Sequence, residues 1–171
     1  MKLYTALARL LDYPTAELLE HMSEIAVMIS EDEDVRPEEY AVMQEVMSWM
    51  QLHDLTGLQQ AYVQTFDMTP EHDLHITHHI HGDSRDRGPA LIDLTEHFKA
   101  NGLEVNKGEI PDYLPLLLEY VSTLGEAESR FFLADMGKIL DILAANLEKA
   151  GTPYAKLVRL VEQRGRLLKA A

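Results

Sequence analysis

Apolar residues recur at helical spacing from one end of this sequence to the other, and no stretch alternates with period two. A chain patterned in this way has no strands to build a sheet from, so it must bury its apolar stripes helix against helix. Leu3, Leu7, Leu10 and Leu11 form a first stripe, closed by Pro14. Leu18, Leu19, Met22, Ile25, Ala26 and Ile29 form a second, with Pro14 near its first turn. The acidic run Glu31–Asp34 reads as a loop, and Pro37 opens a third helix with Tyr40, Met43, Met47 and Met50 on one face. A fourth runs from about Leu55 to Phe66, with Leu58, Tyr62 and Phe66 four apart.

The middle of the chain is less regular. Residues 67–88 hold five of the eight histidines, Pro70 and two glycines, and read mostly as loop, with a helical turn or two near Leu74–Ile80. Pro89 suits the first turn of another helix, with Leu91, Leu94 and Phe98 inward and Asn101-Gly102 as its stop. After a second irregular stretch, Asp112 is read as the N-cap of a helix with Leu114, Leu117, Leu118, Val121 and Leu124 on one face, ended by Gly125. The longest helix is expected over Ala127–Lys149, broken by Gly151-Thr152-Pro153, and a last one uses Leu157, Leu160, Val161 and Leu168. No internal repeat is present, and 171 residues suit one domain that buries about 70% of its unfolded surface. The expectation is an all-α, single-domain helical bundle spanning 1–171, with about seven or more helices.

Charge and cysteine content narrow the function. The absence of cysteine excludes disulfides, thiolate metal sites and a cysteine nucleophile. Fifteen basic against 29 acidic residues give a net charge of −14, which repels phosphate backbones and anionic lipid, so neither nucleic-acid binding nor membrane insertion is expected. A basic partner suits this surface. From Lys156 onward five basic residues stand against one acidic, a net +4, on a body of net −18, so the basic end reads either as a solvated helix face with cations near its C-terminus or as a segment folded against the acidic body. No apolar run approaches the ~18 residues of a membrane span, and Arg9 and Asp12 interrupt any signal-peptide core, which points to the cytoplasm.

Three constellations hold chemistry-bearing residues. His72, His75, His78, His79 and His81 cluster near Asp67, Asp73 and Asp83; on a helix, His75, His78 and His79 would share a face, where neutral imidazoles can bind a divalent metal. The same residue types can instead cap helices or bond loop carbonyls, and the zincin pattern is absent. His53-Asp54 and His72-Asp73 admit an all-α, HD-type metal-dependent hydrolase, although His53-Asp54 also reads as a helix end followed by a cap. Second, Asp83, Arg85, Asp86 and Arg87 alternate in charge between Gly82 and Gly88; the loop lacks the Gly-Lys-Ser/Thr of a phosphate loop and reads as an ion-pair lattice. Third, Glu109-Ile110-Pro111-Asp112-Tyr113-Leu114-Pro115 reads as a rigid helix start beside an apolar wall.

Two of these motifs carry a resemblance. The stretch from Thr77 through Gly82-Asp83-Ser84-Arg85-Asp86-Arg87-Gly88 to Leu94, together with Glu109-x-Pro111-Asp112-Tyr113-Leu114-Pro115, resembles the NarJ-type nitrate reductase molybdenum-cofactor assembly chaperones, a branch of the TorD/DmsD redox enzyme maturation proteins. Leu10-Leu11-Asp12-Tyr13-Pro14 and Tyr62–Asp67 fit the same pattern, and the likeness runs from about Leu3 to Leu168. Tyr113 stands where the wider family has His, which suits the nitrate reductase branch; many relatives carry a longer C-terminal tail, whereas this sequence stops at Ala171. The resemblance implies an all-helical cytoplasmic chaperone and not an enzyme, with no catalytic residue, cofactor or metal of its own. It would bind the N-terminal segment of the apo catalytic (alpha) subunit of a respiratory molybdenum nitrate reductase and hold it for cofactor insertion. The expected site is a helix-in-groove surface. Tyr62, Phe66 and Tyr113 would supply apolar surface and hydroxyls, Asp83, Asp86 and Asp112 would meet basic peptide residues, and Arg85 and Arg87 would order the loop. The alternatives are the metal-dependent hydrolase using the histidine cluster and a plain helical oligomerisation module.

Overall fold

The computed structural model describes residues 2–166 and is all-helical, with eleven α-helices and no strand among those residues. They are α1 (Lys2–Leu11), α2 (Ala16–Glu20), α3 (Met22–Ser30), α4 (Pro37–Gln51), α5 (Leu55–Tyr62), α6 (Ile76–His81), α7 (Arg87–Ala100), α8 (Leu114–Thr123), α9 (Glu126–Asp135), α10 (Gly137–Ala150) and α11 (Tyr154–Arg166). Leu168, expected on the last helix, lies outside the described residues.

The core is built around α1 and α11. Seven residues of α1, Leu3, Tyr4, Ala6, Leu7, Ala8, Leu10 and Leu11, are buried, so this helix is wrapped on nearly all sides. It packs chiefly against α8, and also against α3 and α11. α11 lies against α10, α9 and α4 and buries Tyr154, Leu157, Val158, Leu160 and Val161. The basic end does fold onto acidic partners. Arg159 pairs with Asp141 and Glu148 at 2.6 and 2.8 Å, Lys156 pairs with Glu45, and Arg164 reaches Glu39.

Several boundaries differ from the pattern-based expectation. The second stripe is split at His21, whose backbone N–H and ring Nδ1 both contact the Glu17 carbonyl oxygen, while Thr15 caps α2 by accepting from Leu18 N. The helix expected over 127–149 is two, because the chain tightens at Met136, whose N–H bonds back three residues to the Leu133 carbonyl, and Gly137 then starts α10. Gly125 begins α9 as its N-cap, and α8 ends at Thr123. Gly151 closes α10 in the left-handed region at φ 70°, where a side chain would be strained. Pro89 does fall in the first turn of α7, and Asn101-Gly102 does end it. Residues 67–88 hold more structure than a loop, a 3₁₀ turn at Pro70–His72 and the six-residue α6.

Candidate functional site

The two motifs in the middle of the chain are tied to each other. His75 and Tyr113 form an isolated antiparallel bridge, in which Ile76 N donates to Asp112 O at 3.0 Å and Leu114 N to Leu74 O at 2.9 Å. Beside it the Asp112 carboxylate is fully buried. Its Oδ2 accepts from Thr77 N at 2.9 Å and from the Thr77 hydroxyl, and lies 3.6 Å from an Arg87 Nη2 whose Nε donates to Thr77 Oγ1. Thus Arg87 at the start of α7, Thr77 of α6 and Asp112 before α8 form one knot. Asp112 is not the helix N-cap, a place taken by Tyr113; its charge is spent inward.

Next to this knot lies a cleft of about 360 Å³. Tyr62 and Phe66 form its floor, with ring centroids 4.8 Å apart; Tyr62 ends α5, and a π-helical turn over Val63–Asp67 carries Phe66. Such an extra residue in a turn is a common device at functional sites. Tyr154 backs both rings, at 5.9 and 5.0 Å. Leu74, Ile110, Tyr13 and Tyr113 complete the walls, and Asp67, Asp73 and Glu109 supply negative charge.

The hydroxyls at the cleft are short of protons. Tyr62 Oη lies 3.1 Å from the Leu11 carbonyl oxygen and 2.6 Å from Tyr113 Oη, which lies 3.0 Å from Asp12 Oδ1. Two protons serve three contacts, so one of the three is always left without a proton. Asp12 is exposed and is the acceptor that an incoming N–H can reach. Burial pushes both phenols well above the ordinary tyrosine pKa, so neither ionises at physiological pH. At the other wall Asp73 Oδ1 accepts from His75 N at 3.0 Å and from ring Nδ1 at 2.7 Å. Since a carboxylate only accepts, Nδ1 carries the proton, and this bond raises the His75 pKa above 6.5.

A family model described as the nitrate reductase delta subunit matches residues 30–159, which include both motifs and the cleft floor. The chain belongs to the nitrate reductase delta subunit family. It is 34% identical over 154 residues to the nitrate reductase molybdenum cofactor assembly chaperone NarJ of Escherichia coli K12, covering 90% of this chain and 65% of that protein. It is 35% identical over 103 residues to the probable nitrate reductase molybdenum cofactor assembly chaperone NarW of the same organism, covering 60% and 45%. A third relative, the probable chaperone NarJ of Bacillus subtilis, is 28% identical over 161 residues, covering 92% and 85%. The chain thus spans a little under two thirds of the length of the E. coli NarJ it matches.

Within this family member the candidate residues separate into three groups. Tyr62, Phe66 and Tyr113 converge on the cleft. Asp112 and Arg87 form the knot behind it. Asp83, Arg85 and Asp86 stand exposed, outside the cleft lining, and the expected Asp–Arg lattice is replaced by an Asp86–Ser84 turn contact at 3.4 Å. The sequence reading missed Asp67, Asp73, His75, Glu109 and Ile110 as cleft residues and Asp12 as the partner of the Tyr113 hydroxyl. The signal for Asp12 lay in Leu10-Leu11-Asp12-Tyr13-Pro14, which carried the resemblance but was assigned no role.

Three of the five clustered histidines, His72, His75 and His79, are hydrogen-bonded within the fold. His75 sits at the N-cap and not within α6, so it does not share a helical face with His78 and His79. His72 Nδ1 donates to Thr65 O at 2.9 Å, and His79 Nε2 to Asp73 O at 2.6 Å. Among the described residues no group of three or more His, Asp or Glu is arranged to hold a metal ion. His53 Nδ1 contacts Trp49 O and Asp54 caps α5 through Gly57 N, so that dipeptide is a helix end and a cap. No helix among the described residues is long and apolar enough to cross a membrane.

Proposed function

We propose that this protein is a nitrate reductase assembly chaperone that catalyses no reaction itself. It takes the N-terminal segment of the apo catalytic subunit into the Tyr62–Phe66–Tyr113 cleft and holds the subunit for molybdenum cofactor insertion. The observation that carries this reading is the cleft itself, an aromatic floor beneath carboxylates, lying beside the point where the two motifs that carry the resemblance meet. An amphipathic helical turn or two would lay apolar side chains on Tyr62, Phe66 and Ile110. Its basic residues would meet Asp12, Asp67, Asp73 and Glu109. Apolar burial would set most of the affinity, and each exposed carboxylate would add up to about 1 kcal/mol. The role of Asp83 and Asp86 would then be at most long-range steering of a cationic segment.

The test is calorimetry with a synthetic peptide copying the first ~15–20 residues of the catalytic subunit, long enough for several helical turns. Wild type should bind, with affinity falling modestly as salt rises. Phe66 is buried, so Phe66→Ala also costs stability; Ile110→Ser changes an exposed wall and spares the core. Ile110→Ser should weaken binding several-fold while the circular dichroism spectrum stays wild type. Equal affinity for wild type, Ile110→Ser and the Phe66→Ala/Tyr113→Ala double variant would remove this cleft from the account.

A further inference from the structure

A second and larger cleft, about 770 Å³, opens between α7 and α9 across the C-terminal end of α8, and it shares no lining residue with the Tyr62 cleft. Its floor is aromatic and already ordered. His97 Nε2 lies 2.7 Å from Tyr120 Oη, the His97 ring stacks on Phe132 at 18°, and Tyr120 meets Phe132 at 5.2 Å. Leu94 and Leu124 extend the apolar surface, and Phe131 stands at the wall with 67% of its surface exposed.

The helix forming one wall is under-buried. α7 has fourteen residues, and Phe98 is the one that is buried. A surface helix of a globular domain usually buries a stripe about 100° wide, whereas α7 leaves Leu91 and Leu94 only partly covered and Ile92 exposed. Charge then says what fits. Asp93, Glu128 and Asp135 line the cleft, and no Lys or Arg does. On the walling helices Lys99 pairs with Glu96 at 3.0 Å and Arg130 pairs with Glu126. A second copy of this chain, with net charge −14, and an anionic membrane both meet like charge here.

We propose that the α7–α9 cleft docks a basic amphipathic helical segment of a protein partner. One apolar side chain of that segment rests on Phe131 and Phe132, and its Lys or Arg side chains meet Asp93, Glu128 and Asp135. A groove walled by two helices is the shape a third helix fills. This surface is independent of the Tyr62 cleft, so the two readings stand or fall separately.

The probe is a synthetic, fluorescently labelled 18-residue helix with Leu on one face and Lys on the other, alongside a counterpart with Glu in place of Lys, each about 27 Å long. Anisotropy titrations against the full chain should show saturable binding of the Lys peptide and none of the Glu peptide. Phe131→Ser, and separately Asp93→Asn with Glu128→Gln and Asp135→Asn, should each weaken binding about tenfold, which is ~1.4 kcal/mol. All four positions are exposed, so the variants should keep the wild-type helical spectrum. The proposal is overturned if the Lys peptide does not bind, or if both variants bind like wild type. It is also overturned if Ile110→Ser alone abolishes binding, which would move the peptide to the other cleft, or if sedimentation shows a wild-type dimer that Phe131→Ser dissociates, which would make the occupant a second copy.

Discussion

Asp112 has no exposed surface, and its Oδ2 is held by the Thr77 amide and hydroxyl with Arg87 close by, while Oδ1 is buried with no hydrogen-bond partner among the described residues. Removing the carboxylate leaves a buried N–H and a half-buried guanidinium without their acceptor, a cost of about 2–4 kcal/mol. Asp112→Ala should therefore lower stability by that amount in urea denaturation, and an unchanged midpoint would contradict the knot. Glu39 offers a pH test. Burial alone would raise its pKa, but bonds from Arg36 and Arg164 outweigh it and hold the carboxyl below its ordinary 4.5. Arg164 grips both carboxylate oxygens at 2.7 and 2.6 Å and is itself buried. A depressed folded-state pKa stabilises fully above the unfolded value and is lost as pH falls through the folded one. Glu39→Gln should cost about 3–5 kcal/mol at pH 7, with the gap to wild type closing as pH drops below 4.5; a constant gap would refute the assignment. Neither partnership is legible in sequence. Pro-Asp before a helical stripe is the local signature of a cap, whereas Thr77 lies 35 residues from Asp112 and Arg164 lies 125 from Glu39.

At the scale of elements, α11 comes within backbone contact of α9 at Gly165. A Cβ on Gly165 would stand 2.9 Å from the Leu133 carbonyl carbon and oxygen and 3.0 Å from Ala134 N, all backbone atoms that cannot swing aside. Gly165→Ala should push the helices apart and cost about 1–3 kcal/mol, lowering Tm by several degrees. A variant as stable as wild type would mean that the contact relaxes freely. This contact also bears on why the expected single helix over 127–149 is two. Phe132, Met136, Ile139 and Leu143 keep helical phase straight through the break, so periodicity alone sees one helix; the chain tightens at Met136, beside the place where α11 presses in. Boundaries set by Gly, Pro and caps within a few residues, such as Asp54, Pro89, Asn101-Gly102 and Gly151, were readable. The π-helical turn at Val63–Asp67 has no such local mark and was read as plain helix.

Across the whole molecule, the all-α class followed from the apolar spacing, and the family resemblance from two motifs that the fold joins where Thr77 and Arg87 meet Asp112, beside the His75–Tyr113 bridge. What the sequence could not supply was which carboxylates face the cleft. Asp83 and Asp86 draw attention because they lie in a dense motif, yet Asp67, Asp73 and Glu109 line the cleft from separate segments and Asp12 meets it through the Tyr113 hydroxyl. The account therefore rests on place more than on affinity. The measurement that addresses place most directly is an amide chemical-shift map of the ¹⁵N-labelled chain titrated with the N-terminal peptide of the catalytic subunit. The largest shifts should fall on Tyr62, Phe66, Leu74, His75, Ile110 and Tyr113, with the α7–α9 residues around Phe131 little changed. Shifts confined to α7 and α9, or no shifts at saturating peptide, would contradict the central claim.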